Sequence, residues 1–249
     1  MKLASITQEK NSIHGIITAT KHFDFVQSLE FLDNSGANDR LDILDTDEAI
    51  LKRPMLIDDT PYMVILEAVE QLKIKVTVTA QDGDEERPDE AALQHAADWA
   101  GHRFWLFVDM DAVRDAIAVD DYGKLIVDTS FPMRPANYAS AWEALLISVN
   151  HAQVFPGLAK TLDNNLAEVF GMKGLFEGET YYLTPRPFDL LRANPDELRG
   201  MKFSRQKADY LTTIPNTVLD EAPKYHFEAL REMDGQEVVK TLTKLLRFM

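Results

Sequence analysis

The side chains of this sequence that could carry out acid–base chemistry are carboxylates and histidines. In the carboxyl-terminal half, the candidate carboxylates are Asp163, Asp189, Asp209 and Asp234. Each falls on the face or the cap of a predicted helix, where solvent or a backbone N–H group accounts for a carboxylate. Because nothing in the sequence sets one of them apart, we assign no catalytic residue.

Other site chemistries find no support in the sequence. There is no cysteine, which excludes disulfides, thiolate metal sites and cysteine nucleophiles. The 6 histidines are scattered, with no pair at the four-residue spacing that binds zinc on a helix. The sequence also lacks a glycine-rich phosphate loop. We therefore expect neither a metal nor an organic cofactor.

The charge balance is strongly acidic. The 249 residues include 26 Lys and Arg against 41 Asp and Glu, a formal net charge of −15. A surface that binds duplex DNA neutralises phosphates with cations, so this balance argues against a DNA-binding protein. The acidic residues cluster, however, and residues 82–90 alone hold six of them. A basic surface could survive on the helical half, which contains Lys160, Lys202, Arg205, Lys207, Lys240, Lys244 and Arg247.

Composition and the amino terminus favour a cytoplasmic protein. Hydrophobic residues make up 45% of the chain and charged residues 27%, as in ordinary globular domains. Residues 1–12 lack the apolar core of a signal peptide, and no run reaches the roughly 18 apolar residues of a membrane span. We expect no membrane partner.

The most regular pattern is a pair of helices over residues 141–171. Apolar residues recur at helical spacing on both sides of Val154-Phe155-Pro156. Pro156 is excluded from a helix interior but suits a first turn, so a sharp corner is predicted there. Gly171 is predicted to end the second helix in a left-handed conformation. By periodicity alone, this pair is a core helical hairpin.

Strands are predicted in the first half of the chain. Residues 13–20 and 61–69 are apolar and β-branched, while 73–81 alternate between apolar and polar, which indicates an antiparallel sheet. Helices are predicted over 22–36 and 88–100. The pattern predicts a sheet, its helices and a helical domain, with helices only after residue 140.

Helix caps punctuate the second half. Thr184-Pro185, Asn194-Pro195 with Glu197, and Asp234 with Glu237 are predicted N-terminal caps. Ser204 is predicted to begin a helix that Pro215 ends. The last helix, 235–249, carries an apolar stripe formed by Val238, Val239, Leu242, Leu245 and Leu246.

The order of these motifs resembles one enzyme family. Trp142-Glu143-Ala144-Leu145, His151-Ala152-Gln153-Val154, Ala159-Lys160 and Val169-Phe170-Gly171 follow one another as at the opening of the catalytic domain in DNA-3-methyladenine glycosylase II, one of the helix-hairpin-helix DNA glycosylases. Residues 22–32 resemble the start of the family's amino-terminal domain, and 190–211 its middle helices. The resemblance implies an α+β fold: an antiparallel sheet with helices on one face over 1–112, then a helical glycosylase-type domain over 113–249.

The resemblance also implies a reaction and site residues. This family acts in base-excision repair of alkylation damage: it binds double-stranded DNA, flips an alkylated purine into an aromatic-lined cleft, and hydrolyses the N-glycosidic bond. Gln153 falls at the position that wedges into the duplex, and Phe31 at an aromatic of the base pocket. Ser204, Arg205 and Lys207 would contact the DNA backbone.

One residue departs from the pattern of the family, and two others have alternative interpretations. Phe155 stands where the family usually has a small hydroxyl residue, and it supplies no oxygen to cap the second helix. Phe31 could equally be a packed core phenylalanine. His151 could be a base or a DNA contact, although a hydrogen-bonded histidine at a helix end is the commoner arrangement.

The resemblance places further parts after the last helix. A glycine-rich turn that holds a phosphate, a second helix and a catalytic aspartate would follow, and no residue up to Met249 matches them. The sequence therefore reads as a glycosylase truncated at its carboxyl end, and these 249 residues are expected to be inactive. The alternative is a non-catalytic DNA-damage-binding or protein-binding module. With those parts absent, the apolar residues of 238–249 are expected to be covered by self-association or by a missing polypeptide.

Overall fold

The computed structural model describes residues 3–34, 41–131, 133–134, 136–220, 230 and 233–247, with the backbone only for 244–247. Contacts divide the chain into two compact units. The first unit comprises residues 1–137 and 173–181, and the second comprises 138–172 and 182–249. In the part of the chain that is described, no helix is long and apolar enough to cross a membrane.

A six-stranded antiparallel sheet forms the centre of the first unit. Its strands are β1 (Ala4–Gln8), β2 (Ser12–Thr18), β3 (Ile43–Asp45), β4 (Ile50–Ile57), β5 (Thr60–Glu70) and β6 (Lys73–Thr79). They lie in the order β1-β2-β6-β5-β4-β3. The alternation in β6 buries Ile74, Val76 and Val78 completely. The antiparallel sheet predicted from residues 61–69 and 73–81 is confirmed.

Two helices of the first unit pack near this sheet, α1 (Phe25–Asn34) beside β3 and α2 (Glu90–Arg103) on β2 and β6. Helix α2 begins at Asp89, whose carboxylate accepts a hydrogen bond of 2.8 Å from the Ala92 N–H. Four of its buried residues, Leu93, Ala96, Ala97 and Ala100, are fully buried, and three of the four are alanines. A Cβ added at Gly15 of β2 would stand only 3.2 Å from Cδ2 of Leu93. Small residues on both elements thus allow the helix to approach the sheet closely.

Residues 113–137 make their contacts within the first unit, whereas the sequence predicted a domain boundary at residue 112. They contain most of α3 (Met110–Ile117) and all of α4 (Asp121–Ser130). The physical reason is the fully buried Arg134, whose guanidinium donates hydrogen bonds to the backbone carbonyls of Lys21 at 2.9 Å, His22 at 3.3 Å and Trp105. Hydrogen bonds between segments so far apart leave no periodic pattern in the sequence, so the sequence alone does not predict them.

A buried ion network joins the sheet of the first unit to α2. Asp42 lies between Arg53 and Arg103: its Oδ1 is 2.7 Å from Arg53 Nη1, and its Oδ2 contacts Arg103 Nη2. Burial alone would raise the pKa of Asp42, but the two guanidinium groups outweigh it and hold that pKa below its ordinary value. The folded unit therefore favours the charged form of Asp42.

A β-hairpin lies within residues 173–182, so the prediction of helices only after residue 140 is wrong. Strands β7 (Lys173–Phe176) and β8 (Glu179–Tyr182) pair with each other, and the two turn residues have positive φ, 53° at Glu177 and 79° at Gly178. The hairpin belongs to the first unit, because the Asp82 carboxylate accepts a 2.7 Å hydrogen bond from the Gly178 N–H. Four-residue strands are too short to show a clear period.

The second unit is a bundle of helices. They are α5 (Ala141–His151), α6 (Pro156–Phe170), α7 (Pro187–Leu190), α8 (Pro195–Gly200), α9 (Arg205–Asp220) and α10 (Gly235–Arg247). Their apolar faces meet in one core that includes Leu162, Leu166, Leu198 and Ala208. The caps predicted at Asn194 and Asp234 are confirmed, since their side chains accept hydrogen bonds from the N–H groups of Glu197 and Glu237.

Three local predictions for the second unit are wrong. Gly171 ends α6 with φ −69°, not in the left-handed region; glycine is needed because a Cβ would stand 2.0 Å from the Leu183 carbonyl oxygen. Pro215 lies inside α9, which continues because its buried Ile214 and Val218 offset the loss of one backbone hydrogen bond. Thr184 caps no helix: its hydroxyl donates to Glu143, and α7 starts at Pro187.

Candidate nucleic-acid interface

The corner between α5 and α6 is built from four residues with non-helical backbones. Helix α5 starts at Ser140, whose hydroxyl accepts a 3.0 Å hydrogen bond from the Glu143 N–H, and ends where Ala152 turns to φ −56° and ψ 124°. Gln153 then has φ 56°, in the left-handed region that few residues other than glycine adopt. Pro156 begins α6 at the first helical position, as predicted.

Asp163 of α6 fixes the geometry of this corner. Its Oδ1 accepts a 2.7 Å hydrogen bond from the amide nitrogen of Asn150, and its Oδ2 lies 2.5 Å from Nε2 of His151. Both partners lie in the last turn of α5, so one carboxylate ties the end of α5 to the second turn of α6. The interpretation of His151 as a hydrogen-bonded residue at a helix end is confirmed.

Lys207 braces the same corner from α9. Its side chain is buried, with the residue only 8% exposed, and its ammonium donates a hydrogen bond to the backbone carbonyl of Asn150. Burial lowers the pKa of Lys207, and the nearby Asp163 carboxylate only partly opposes that shift. The sequence predicted a cation on the DNA backbone here. The structure instead places Lys207 as a support for the end of α5.

The other two residues predicted to contact the DNA backbone lie at the start of α9. The Ser204 hydroxyl accepts a 3.3 Å hydrogen bond from the Lys207 N–H, which caps the helix. Ser204 and Arg205 are both exposed to solvent. A helix start with an exposed hydroxyl and an exposed guanidinium can donate hydrogen bonds to an anion.

A groove of about 390 Å³ joins the corner to the start of α9 within the second unit. Its polar lining includes Gln153, Ser204 and Lys207, three of the four residues predicted to bind DNA; Arg205 and Phe31 do not line it. Tyr210 and Gln206 lie on the same wall, where the amide of Gln206 donates a 2.6 Å hydrogen bond to the Tyr210 hydroxyl. The apolar part of the lining comes from Leu145, Val149, Ala152 and Val154.

Phe31 lies on the exposed side of α1, in the first unit. The buried residues of that helix are Phe25, Ser28, Leu29 and Leu32, while Phe31 is 37% exposed. Phe31 is therefore not a packed core phenylalanine, which was the alternative to a base-pocket role. An aromatic ring in this position is accessible to a ligand.

Two carboxylates of the second unit, Asp163 and Asp189, are engaged in local contacts. Asp189 accepts hydrogen bonds from the backbone N–H and the guanidinium of Arg186. Burial alone would raise the pKa of Asp189, but these hydrogen bonds outweigh the effect of burial, so the pKa of Asp189 lies below its ordinary value. Among the described residues, no group of three or more His, Cys, Asp or Glu side chains could hold a metal ion.

The sequence missed the roles of Asn150 and Asp163, because residues 13 apart show no detectable pairing signal.

The comparison with known proteins rests on structure. The sequence matches no protein-family model and no curated protein. A 3-methyladenine DNA glycosylase from Archaeoglobus fulgidus superposes with a TM-score of 0.72 at 16% identity, over 92% of this chain and 73% of that one. MBOgg1 in complex with a low-affinity DNA ligand superposes with a TM-score of 0.66 at 16% identity, over 98% of this chain and 74% of that one. The chain has a DNA glycosylase fold.

A further match extends this glycosylase fold to an enzyme for a different lesion. The Clostridium acetobutylicum 8-oxoguanine glycosylase/lyase, in complex with double-stranded DNA, gives a TM-score of 0.67 at 15% identity, over 98% of this chain and 74% of that one. The α+β fold class predicted from the sequence is thereby confirmed. Because structures named for two lesions share the glycosylase fold, the fold does not select the damaged base.

Proposed function

We propose that this chain recognises alkylated purines in double-stranded DNA, as part of a base-excision DNA glycosylase that flips the damaged base and hydrolyses its N-glycosidic bond. The observation that carries this proposal is the corner between α5 and α6. It presents Gln153 at a strained φ of 56° and is held by hydrogen bonds to Asp163 and from Lys207. A residue whose backbone is held this way can enter a duplex without rearrangement of the corner.

Each site residue has a distinct role in this proposal. Gln153 fills the space that a flipped nucleotide leaves, and Phe31 packs against the cationic alkylated base. Ser204 and Arg205 donate hydrogen bonds to the DNA backbone from the start of α9. Lys207 acts as a positioning residue, because its ammonium already binds the Asn150 carbonyl.

The distribution of charge supports DNA binding by the second unit. Residues 138–172 and 182–249 contain 12 Lys and Arg against 13 Asp and Glu, a net charge of −1. The rest of the chain contains 14 against 28, which accounts for the other −14 of the total of −15. The acidic character of the protein therefore belongs to the first unit, and the helical unit carries little charge that would repel phosphates.

Replacing Gln153 tests the proposal. Glycine accepts a left-handed φ without strain, so Gln153→Gly should be at least as stable as the wild type. Its free energy of unfolding should be higher by up to about 1 kcal/mol. The same variant should lose about tenfold in affinity for a duplex with one alkylated purine, because the intercalating side chain is gone. Fluorescence anisotropy at low salt measures binding, with undamaged and 8-oxoguanine duplexes alongside. The control is Gln236→Ala, at an exposed glutamine on α10.

The outcomes distinguish this function from a second candidate, a protein-binding module on the same fold. That candidate is favoured by the net charge of −15. It predicts equal, weak binding to damaged and undamaged duplexes and no effect of Gln153→Gly. A preference for the alkylated duplex that disappears in Gln153→Gly, but not in Gln236→Ala, would support the glycosylase proposal.

Self-association through α10 remains a proposal. Val239 is 64% exposed, whereas Leu242 packs on the core of the second unit. The side chains of Leu245 and Leu246, which belong to the predicted stripe, lie outside the described residues. We expect a concentration-dependent dimer that Val239→Glu disperses; light scattering that shows one mass for both proteins at all concentrations would contradict this.

A further inference from the structure

The corner between α5 and α6 also exposes an aromatic ring. Phe155 is 68% exposed and occupies the N-cap position of α6, where no side chain makes a capping hydrogen bond. Ser, Thr, Asp and Asn are the stabilising residues at such a position. Phenylalanine here neither caps the helix nor joins the core, so folding does not explain its presence.

The ring of Phe155 is held against the first turn of α6. A Cβ added at Gly157 would stand 3.2 Å from Cε2 of the ring, so glycine leaves the space that one ring edge occupies. The backbone of Phe155 is extended, with φ −76° and ψ 154°, as the following Pro156 requires. The ring therefore has a defined support on one side and solvent on the rest of its surface.

Phe155 is two residues from Gln153, and both are exposed. The backbone between them is fixed at one end by the left-handed Gln153 and at the other by Pro156. The hydrogen bonds of Asp163 then hold α5 and α6 together below this segment. One corner, tied together by these hydrogen bonds, thus presents a polar amide and a flat apolar ring two residues apart.

We propose that Phe155 stacks on a nucleobase that loses its neighbour when the duplex opens, so that Gln153 and Phe155 together hold the open site. This inference rests on the proposed function. Unstacked bases present π faces, and an aromatic side chain covers such a face whatever the base. Gln153 supplies hydrogen bonds to base edges, while Phe155 supplies the apolar contact that an amide lacks.

The test compares Phe155→Ser, Phe155→Trp and Phe188→Ala. The probe is a duplex that contains a single tetrahydrofuran abasic analogue, so the base opposite the analogue is unpaired. A 2-aminopurine stands next to the analogue. Phe155→Ser provides an N-cap hydroxyl, so its thermal midpoint should rise while its affinity for the abasic duplex falls about tenfold. Phe155→Trp should retain the affinity and the quenching of 2-aminopurine. Phe188 is also 68% exposed, on α7, and its replacement should change neither property.

The possible results separate this inference from the proposed function. If the wild type binds abasic and intact duplexes equally, both are overturned. If the wild type prefers the abasic duplex and Phe155→Ser binds it equally well, only the stacking role of Phe155 is overturned. Equal loss of affinity in Phe155→Ser and Phe155→Trp would also overturn it, because the position would then act through its shape.

Discussion

A polypeptide of these 249 residues should release no 3-methyladenine or 7-methylguanine from alkylated duplex DNA, even under conditions in which it binds that DNA. The best-placed carboxylate of the second unit, Asp163, is already bonded to Asn150 and His151. In that role it holds α5 against α6 and is not free to assist the departure of a base. Lack of an acid–base group alone lowers a rate by about 10² to 10⁴-fold.

Chromatography of the released bases checks this expectation, with Asp163→Asn and Asp209→Asn as paired variants. Asp209 is an exposed aspartate on α9 and serves as the control. Base release by the wild type that survives in Asp209→Asn but disappears in Asp163→Asn would contradict the expectation. Base release that Asp163→Asn abolishes without weakening binding to the same DNA would identify Asp163 as the catalytic group, in addition to its role as the tie between two helices.

Replacing Asp42 with alanine should destabilise the first unit by about 3–5 kcal/mol, because Arg53 and Arg103 would remain buried without their shared carboxylate. Glu67→Ala is the matched control on the same sheet. Its partner Lys75 is 3.2 Å away and partly exposed, so the loss should stay below about 1 kcal/mol. Urea unfolding of the three proteins measures the difference, and equal unfolding midpoints would refute it.

The same residue should make stability depend on pH. The pKa of Asp42 is lower in the folded protein than in the unfolded chain. Its contribution is therefore fully present above the unfolded value of about 3.9 and is lost as pH falls through the folded value. Between neutral pH and about pH 3, the wild type should lose more stability than Asp42→Ala. A parallel decline of both proteins would show that other carboxylates control acid unfolding.

Sequence reasoning succeeded where a pattern is local. The alternation in β6 and the caps at Asn194 and Asp234 rest on residues a few positions apart, so propensity and hydrogen bonding decide them. The motif order also identified the glycosylase fold. Gln153, Ser204 and Lys207 come together in one groove because the corner and the start of α9 are neighbours in that fold.

Sequence reasoning failed where the deciding contact is distant. Arg134 belongs to the first unit because of carbonyls more than 100 positions earlier, and charge alone would have placed an arginine at the surface. Charge alone likewise predicts Lys207 at the surface, yet it lies under the end of α5. Pro215 should have ended a helix, but buried neighbours offset its penalty. In each case tertiary packing outweighed the local preference.

The first unit is discontinuous along the chain, and this has a consequence for its synthesis. Its hairpin, β7 and β8, is separated from the rest of the unit by α5 and α6. A ribosome must therefore release both helices of the corner before Gln81 and Asp82 can meet their partners Leu175 and Gly178. Until then the sheet lacks its last contacts, and closing this loop has an entropic cost. The amino-terminal sheet and the corner helices should therefore reach their native state during the same stage of translation.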